Sequence, residues 1–287
     1  MKVLVLGVTG MIGKAIYHGL GQDINLEVWG TVRSCRGKSF FAANHRSSLM
    51  IDVRAENIKS VAEAIEESRS DMVINCIGIT KHRPDVEIPY KAITVNALFP
   101  NQLADLCISK GVRLLHISTD CVFSGQKGNY SELDTTDAED LYGKTKALGE
   151  VVSENILTIR TATIGHEYDS QLGLLEWFLA QQACKGFGRA IFSGLTTIEL
   201  ARVIRDIIVP NASLSGLYHI GGSPIDKWRL LKLISKIYRK STNIELDNEF
   251  VIDRSLSTVK FANKTGYSAP NWPTLIQTMH DDYLLRK

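Results

Sequence analysis

Six short runs of almost wholly apolar residues recur along the first 160 positions: KVLVLG (2–7), NLEVWGTV (25–32), SLMID (48–52), DMVINCIG (71–78), VRLLHIS (112–118) and ILTIR (156–160). Between them lie segments of helical period, over 11–20, 55–69, 90–111 and around 140–154, the second with Ile58, Val61, Ala62 and Ile65 on one face. Strands that are apolar along their whole length need cover on both faces, and helices between them supply it. The pattern predicts an α/β chain built on a Rossmann-type, doubly wound parallel sheet. Pro100 lies inside the 90–111 segment. It brings no N–H and crowds the preceding turn, so this helix is expected to kink or split near Phe99.

After about residue 164 the alternation loosens into helices over 172–184, 197–209, 226–239 and 271–285, with short strands at RAIFS (189–193), GLYHIGG (216–222) and EFVID (249–253). The expected organisation is a dinucleotide-binding domain over 1–163 and a smaller C-terminal substrate-binding lobe over 164–287, whose elements are allowed to interleave with the sheet. The chain carries no internal repeat and no low-complexity tract.

Charge excludes some partners. With 33 basic and 31 acidic residues the net charge is +2, and no block of like charge forms a footprint for nucleic acid or a membrane surface. The opening MKVLVLGVTGMIGKAI superficially resembles a signal peptide, but three glycines break its apolar stretch and no small-residue cleavage site follows. Nothing else approaches the roughly eighteen consecutive apolar residues of a membrane span. Five cysteines without paired spacing point to reduced thiols and a cytoplasmic setting. Seven scattered histidines, with no H-E-x-x-H, predict no metal.

The first strand runs into GVTGMIG and then a helix, with Gly7, Gly10 and Gly13 spaced G-x-x-G-x-x-G. Glycine permits the turn and a close backbone approach to a pyrophosphate, while the helix N-terminus offers unpaired N–H groups and a positive dipole end. A dinucleotide is expected here, held by Gly7, Thr9, Gly10, Met11, Ile12 and Gly13. At the end of the second strand a carboxylate would select the ribose hydroxyl of NAD, and an arginine the 2'-phosphate of NADP. Here the stretch EVWGTVRSCRGK (27–38) carries RSCRGK and, after Glu27, no carboxylate. NADP(H) is favoured through Arg33 and Ser34, with NAD(H) as the alternative, whereas Arg36 and Lys38 are expected to face water. By their places after the third and fourth strands, Asp52, Val53, Cys76, Ile77 and Gly78 are expected to complete the cofactor site.

The fifth strand ends in LLHISTDCVFSG, which brings Ser118, Thr119 and Asp120 to the sheet edge where open α/β sheets bind ligands. Tyr142 and Lys146 then share one face of the next helix, four apart. A free tyrosine, with a pKa near ~10, trades protons poorly at neutral pH unless a nearby ammonium lowers it. Lys146 can do this and can hold the nicotinamide ribose, while Thr119 can hydrogen-bond a substrate oxygen. Hydride transfer between an alcohol and a ketone needs such a set.

Through GVTGMIG, STDCVFSG and YGKTK the chain resembles the extended short-chain dehydrogenase/reductases. More closely it is similar to their dTDP-4-dehydrorhamnose reductase branch, which carries STDYVFDG, YG-x-[ST]-K-x-x-GE and LRT in succession; here STDCVFSG, YGKTKALGE and IRT stand in that order, followed by GLYHIGG and DRSL…TGY…W. The resemblance implies Thr119, Tyr142 and Lys146 as the catalytic triad, with Tyr142 the acid in reduction, and a nucleoside-diphosphate 4-keto-6-deoxy sugar as substrate. Ser118, Thr119, Cys121 and Phe123 are then expected to face the sugar. Cys121 and Ser124 depart from the branch's tyrosine and aspartate, which leaves the sugar open.

In the C-terminal lobe, Phe192 and Ser193 are candidates for substrate contact or for a packed strand end, while the resemblance implies a diphosphate clamp at Arg254, with a pair with Asp253 as the alternative. Trp177, Trp228 and Trp272 are expected in the core, and His116 is expected as a plain strand residue. Besides a reductase, the resemblance admits an epimerase, disfavoured by the basic RSCRGK, and a regulatory subunit of methionine adenosyltransferase that binds NADP and works through a protein partner. A homodimer is compatible with the sequence, which does not separate dimer faces from core faces.

Overall fold

The computed structural model describes residues 1–81, 83–167 and 171–285, and leaves aside the side chains of residues 43–45 and 84. Contacts divide the chain into two units, the first formed by Met1–Ser118, Asp140–Ile159 and Ala201–Leu217, the second by Thr119–Glu139, Arg160–Leu200 and Tyr218–Lys287. Among the described residues no helix is long and apolar enough to cross a membrane.

The first unit is built on the expected sheet. Its strands are β1 (Lys2–Leu6), β2 (Glu27–Val32), β3 (Leu49–Ile51), β4 (Met72–Asn75), β5 (Arg113–Ile117) and β6 (Ile156–Arg160), with β10 (Gly216–His219) at the edge. They lie in the order β10-β6-β5-β4-β1-β2-β3, and the pairs β1–β2, β2–β3, β1–β4, β4–β5 and β5–β6 are parallel. The order reverses between β1 and β4, the switch point at which doubly wound sheets leave a crevice beyond the strand ends. Val3, Leu4, Val5 and Leu6 of β1 are fully buried, as a strand covered on both faces must be. On one side α3 (Ile58–Ser68) and α5 (Phe99–Lys110) supply Val61, Ile65, Phe99 and Leu103 to a core shared with Leu4, Val73 and Leu114.

Pro100 does what its chemistry demands. The expected helix over 90–111 becomes α4 (Pro89–Ala92), a π-helical segment (Ile93–Leu98) and α5, with Pro100 in the first turn of α5, where an N–H is not needed. The wide turn lies against α6 (Leu141–Leu148), whose first turn is capped by Asp140 accepting from the Gly143 N–H at 2.8 Å. A Cβ on Gly149, which closes α6, would lie 2.0 Å from the Asn96 carbonyl oxygen. Only glycine allows this approach.

In the second unit β8 (Ala183–Phe192) lies between β11 (Ile225–Asp226) and β12 (Asn243–Asp253), antiparallel to the first and parallel to the second. The helix expected over 172–184 is shorter, α7 (Leu174–Ala180), because residues from Ala183 onward pair with β12 from Asn243. Long-range pairing here overrides a local period. The strand expected at 249–253 extends back to Asn243, and a helix that the pattern did not mark, α10 (Val259–Thr265), follows it.

Candidate functional site

The turn after β1 is held tight by its glycines. Gly7 has φ +79°, open to glycine at little cost, and its carbonyl accepts from the Gly10 N–H at 3.1 Å. A Cβ on Gly13 would lie 2.3 Å from the Gly7 carbonyl oxygen, so Gly13 is what lets α1 (Met11–Leu20) close onto β1. Gly10 is different. It has φ −76°, and its added Cβ would meet only that same oxygen at 3.5 Å, an ordinary contact. Neither backbone nor packing within the chain requires a glycine there, which is what a surface shaped for the close approach of an external group looks like. Gly10 caps α1 without a side-chain acceptor, and no acidic residue lies in its first turn, an arrangement that could receive an anion.

The other cofactor candidates lie around this turn. Gly7 approaches the segment after β4, where its Cβ would be 3.0 Å from Ile77 Cγ1. Gly78 lies beside Asn96, whose fully buried amide accepts from the Ile79 N–H at 2.9 Å and donates to the Ile79 carbonyl at 3.0 Å. Asn96 was not among the sequence candidates, since a polar residue in an apolar helix declares its role only when its partner, seventeen residues back, is known. At the end of β2 Arg33 and Ser34 are exposed, and Ser34 begins a short helix, α2 (Cys35–Ser39). Asp52, with φ +64°, pairs with Arg54 at 2.7 Å, and Arg54 also donates to the Arg33 carbonyl at 3.3 Å. Val53 is buried.

On α6, Tyr142 is half-buried and Lys146 is only 5% exposed. Lys146 Nζ donates to the Ile117 carbonyl at the end of β5, 2.9 Å away. Burial pulls the Lys146 ammonium down to about 8, against the opposing pull of Glu150. Burial also pushes the Cys76 thiol up to about 12 and holds the strand residue His116 well below the ordinary imidazole range, so both are neutral near pH 7.

Ser118 is held within the first unit. It is 4% exposed, and its hydroxyl donates to Glu150 Oε1 at 2.7 Å.

In the second unit, Thr119 Oγ1 accepts from the Cys121 N–H and donates to Asp120 Oδ1, both at 3.1 Å. Burial raises the Asp120 carboxyl, and Arg254 opposes the rise. Arg254 does not pair with Asp253; its Nε donates to the Phe123 carbonyl at 2.7 Å, and its Nη1 lies 3.9 Å from Cys121 Sγ. Asp253 instead accepts from the Ser255 N–H. Phe123 and Ser193 are both packed within this unit, the latter matching its alternative as a packed strand end. Phe123 is fully buried, stacked on Tyr130 at 4.1 Å with the Arg160 guanidinium 4.9 Å from its ring, and the Ser193 hydroxyl accepts from the Leu256 N–H. Phe192 packs beside Trp272 at 5.5 Å. Trp272 is buried, whereas Trp177 is 38% exposed, so the core role expected for it is not what it has.

The chain is similar to dTDP-4-dehydrorhamnose reductase of Aggregatibacter actinomycetemcomitans, 29% identical over 184 residues covering 60% of this chain and 62% of that protein. It is also similar to methionine adenosyltransferase 2 subunit beta of Mus musculus, 32% identical over 159 residues covering 54% of this chain and 44% of that one. The matches thus span less than two thirds of either relative's length. The fold is that of a dTDP-4-dehydrorhamnose reductase from Bacillus anthracis solved in complex with NADP, with a TM-score of 0.79 and 19% identity over 98% of this chain and 99% of that one. A sequence model of the RmlD substrate binding domain matches residues 1–236, which carry the glycine turn, the end of β5 and the Tyr142–Lys146 helix, and the chain belongs to that family.

Proposed function

We propose that the protein is an NADPH-dependent reductase of a nucleotide-activated 4-keto-6-deoxy sugar. The observation that carries this reading is the buried Lys146, one turn from Tyr142 and tied to the end of β5, on the sheet whose switch point bears the glycine cradle. The cradle fits a dinucleotide because Gly10 leaves space that the chain itself does not fill. When bound, the nicotinamide supplies hydride to the keto carbon. Tyr142 gives the oxygen its proton, and the Lys146 ammonium makes the phenol acidic enough to do so near neutral pH. Thr119 follows the end of β5 directly in the chain, and its hydroxyl is assigned to the substrate oxygen. The second unit is assigned to the sugar nucleotide, with Arg254 and Cys121 as its contacts in place of Ser118, Phe123 and Ser193.

Loss of NADPH absorbance with a panel of dTDP- and UDP-linked 4-keto-6-deoxy sugars tests the reading. Turnover with one sugar supports it. Tight NADPH binding with no turnover across the panel sinks it and favours the regulatory reading suggested by the similarity to methionine adenosyltransferase 2 subunit beta, in which case the chain should bind a catalytic adenosyltransferase subunit in a direct titration.

Arg33 is assigned to the 2'-phosphate. A charge-assisted hydrogen bond contributes about 1.5–3 kcal/mol, so Arg33→Ala should lower the NADPH-over-NADH preference in kcat/KM by roughly 10- to 100-fold. An unchanged ratio would remove Arg33 from cofactor selection.

A further inference from the structure

Glu150 stands four residues beyond Lys146 and eight beyond Tyr142, just past the last residue of α6. Its place is fixed from two sides. Its N–H donates to the Ala147 carbonyl at 3.2 Å, and its Oε1 accepts from the Ser118 hydroxyl at 2.7 Å. Ser118 is itself held on β6, where its N–H donates to the Ile159 carbonyl at 2.8 Å. The neighbouring residue, Ile117, supplies the carbonyl that receives the Lys146 ammonium. Two consecutive residues at the end of β5 therefore grip the helix end, one through the lysine and the other through the glutamate.

We propose that Glu150, anchored by Ser118 next to the carbonyl that receives Lys146, is a positioning residue whose carboxylate favours the ammonium form of that lysine. The inference rests on the reading of Tyr142 and Lys146 as the proton-transfer pair. A lysine as buried as this one loses hydration and tends to give up its proton unless an anion compensates. The groups that act on it are Glu150, Cys76 from the end of β4 and His116 from β5. Burial keeps the Cys76 thiol protonated, with its pKa near about 12, and His116 is a neutral imidazole, so near pH 7 the compensating charge comes from Glu150. The sign follows. Removing that carboxylate lowers the Lys146 pKa from about 8, and a smaller fraction of the protein carries the ammonium at any pH around the midpoint.

The test is a pH titration of the full chain labelled with 13C at the lysine ε-carbons, with the Lys146 resonance assigned by its loss in Lys146→Arg. The wild-type midpoint is expected near 8. Glu150→Gln should lower it by about one unit, the low end of what an adjacent opposite charge does. Ser118→Ala, which keeps the carboxylate but frees it, should lower it by less. If Glu150→Gln does not fold by circular dichroism, Ser118→Ala carries the test alone. A midpoint unchanged in the folded variants overturns the proposal. The titration needs no substrate, so a normal shift in a protein that reduces no keto sugar would sink the reductase reading and leave the tuning of Lys146 standing. With an active enzyme, the alkaline limb of kcat should move by the same amount as the midpoint, which a merely structural role would not produce.

Discussion

Tyr142→Phe should bind NADPH as the wild type does and reduce its keto sugar roughly 10²- to 10⁴-fold more slowly, the range by which a positioned proton donor accelerates a reaction. The substitution removes one oxygen and keeps the ring, and Tyr142 lies in the second position of α6, where the Asp140 cap and the Gly143 N–H already hold the backbone. The helix should therefore stand, and Lys146 should stay on the Ile117 carbonyl. On the proposed reading, what disappears is the proton that reaches the substrate oxygen as hydride reaches the carbon. Single-turnover absorbance at saturating substrate separates this loss from binding. The residual rate should also lack the fall expected of the wild type above about pH 8, because an ammonium with no phenol beside it has nothing to acidify. A Tyr142→Phe enzyme with wild-type turnover would take the phenol out of the reaction altogether.

That Tyr142 and Lys146 share one helix could be read from the sequence because their relation is local: four residues apart, after a strand whose apolar run is unmistakable. The glycine turn was legible for the same reason. Other parts depend on partners far away in the chain. Ser118 is a serine at a sheet edge, and nothing local separates a substrate contact from a hydroxyl committed to Glu150, 32 residues on. Phe123 and Ser193 depend on distant partners in the same way, since the stack on Tyr130 and the Leu256 N–H appear only when the second unit is assembled. The strand over 183–192 defeated a period argument because its partner, β12, begins some sixty residues later. Pro100 is the opposite case. Its missing N–H is a local chemical fact, and the interruption just before it could be placed to within a residue or two.

The glycines of the first turn give the second large effect, and they separate stability from ligand binding. At Gly13 an added Cβ would meet the Gly7 carbonyl oxygen at 2.3 Å, the Gly7 carbonyl carbon at 2.9 Å and the Val8 Cα at 3.1 Å. All three are backbone atoms of the turn, and none can rotate away, so α1 must lift from β1. Gly13→Ala should cost about 3 kcal/mol, the upper end for a forced methyl in a packed site, and lower the melting temperature by roughly 6–12 °C. At Gly10 the same methyl finds an ordinary contact and a backbone conformation that alanine adopts freely. Gly10→Ala should change stability by less than about 1 kcal/mol, the range for exchanging a weak helix cap. Its effect should fall on the cofactor, because the methyl occupies the space over the N-terminus of α1 that a pyrophosphate needs, and NADPH affinity followed by fluorescence titration should drop at least ~10-fold, the loss of about one hydrogen bond to a charged group. Calorimetry and titration on the two variants give opposite expectations, one losing stability and the other binding. If Gly10→Ala bound NADPH like the wild type, the space at Gly10 would not be the cofactor's, and the nucleotide would have to be sought away from this turn.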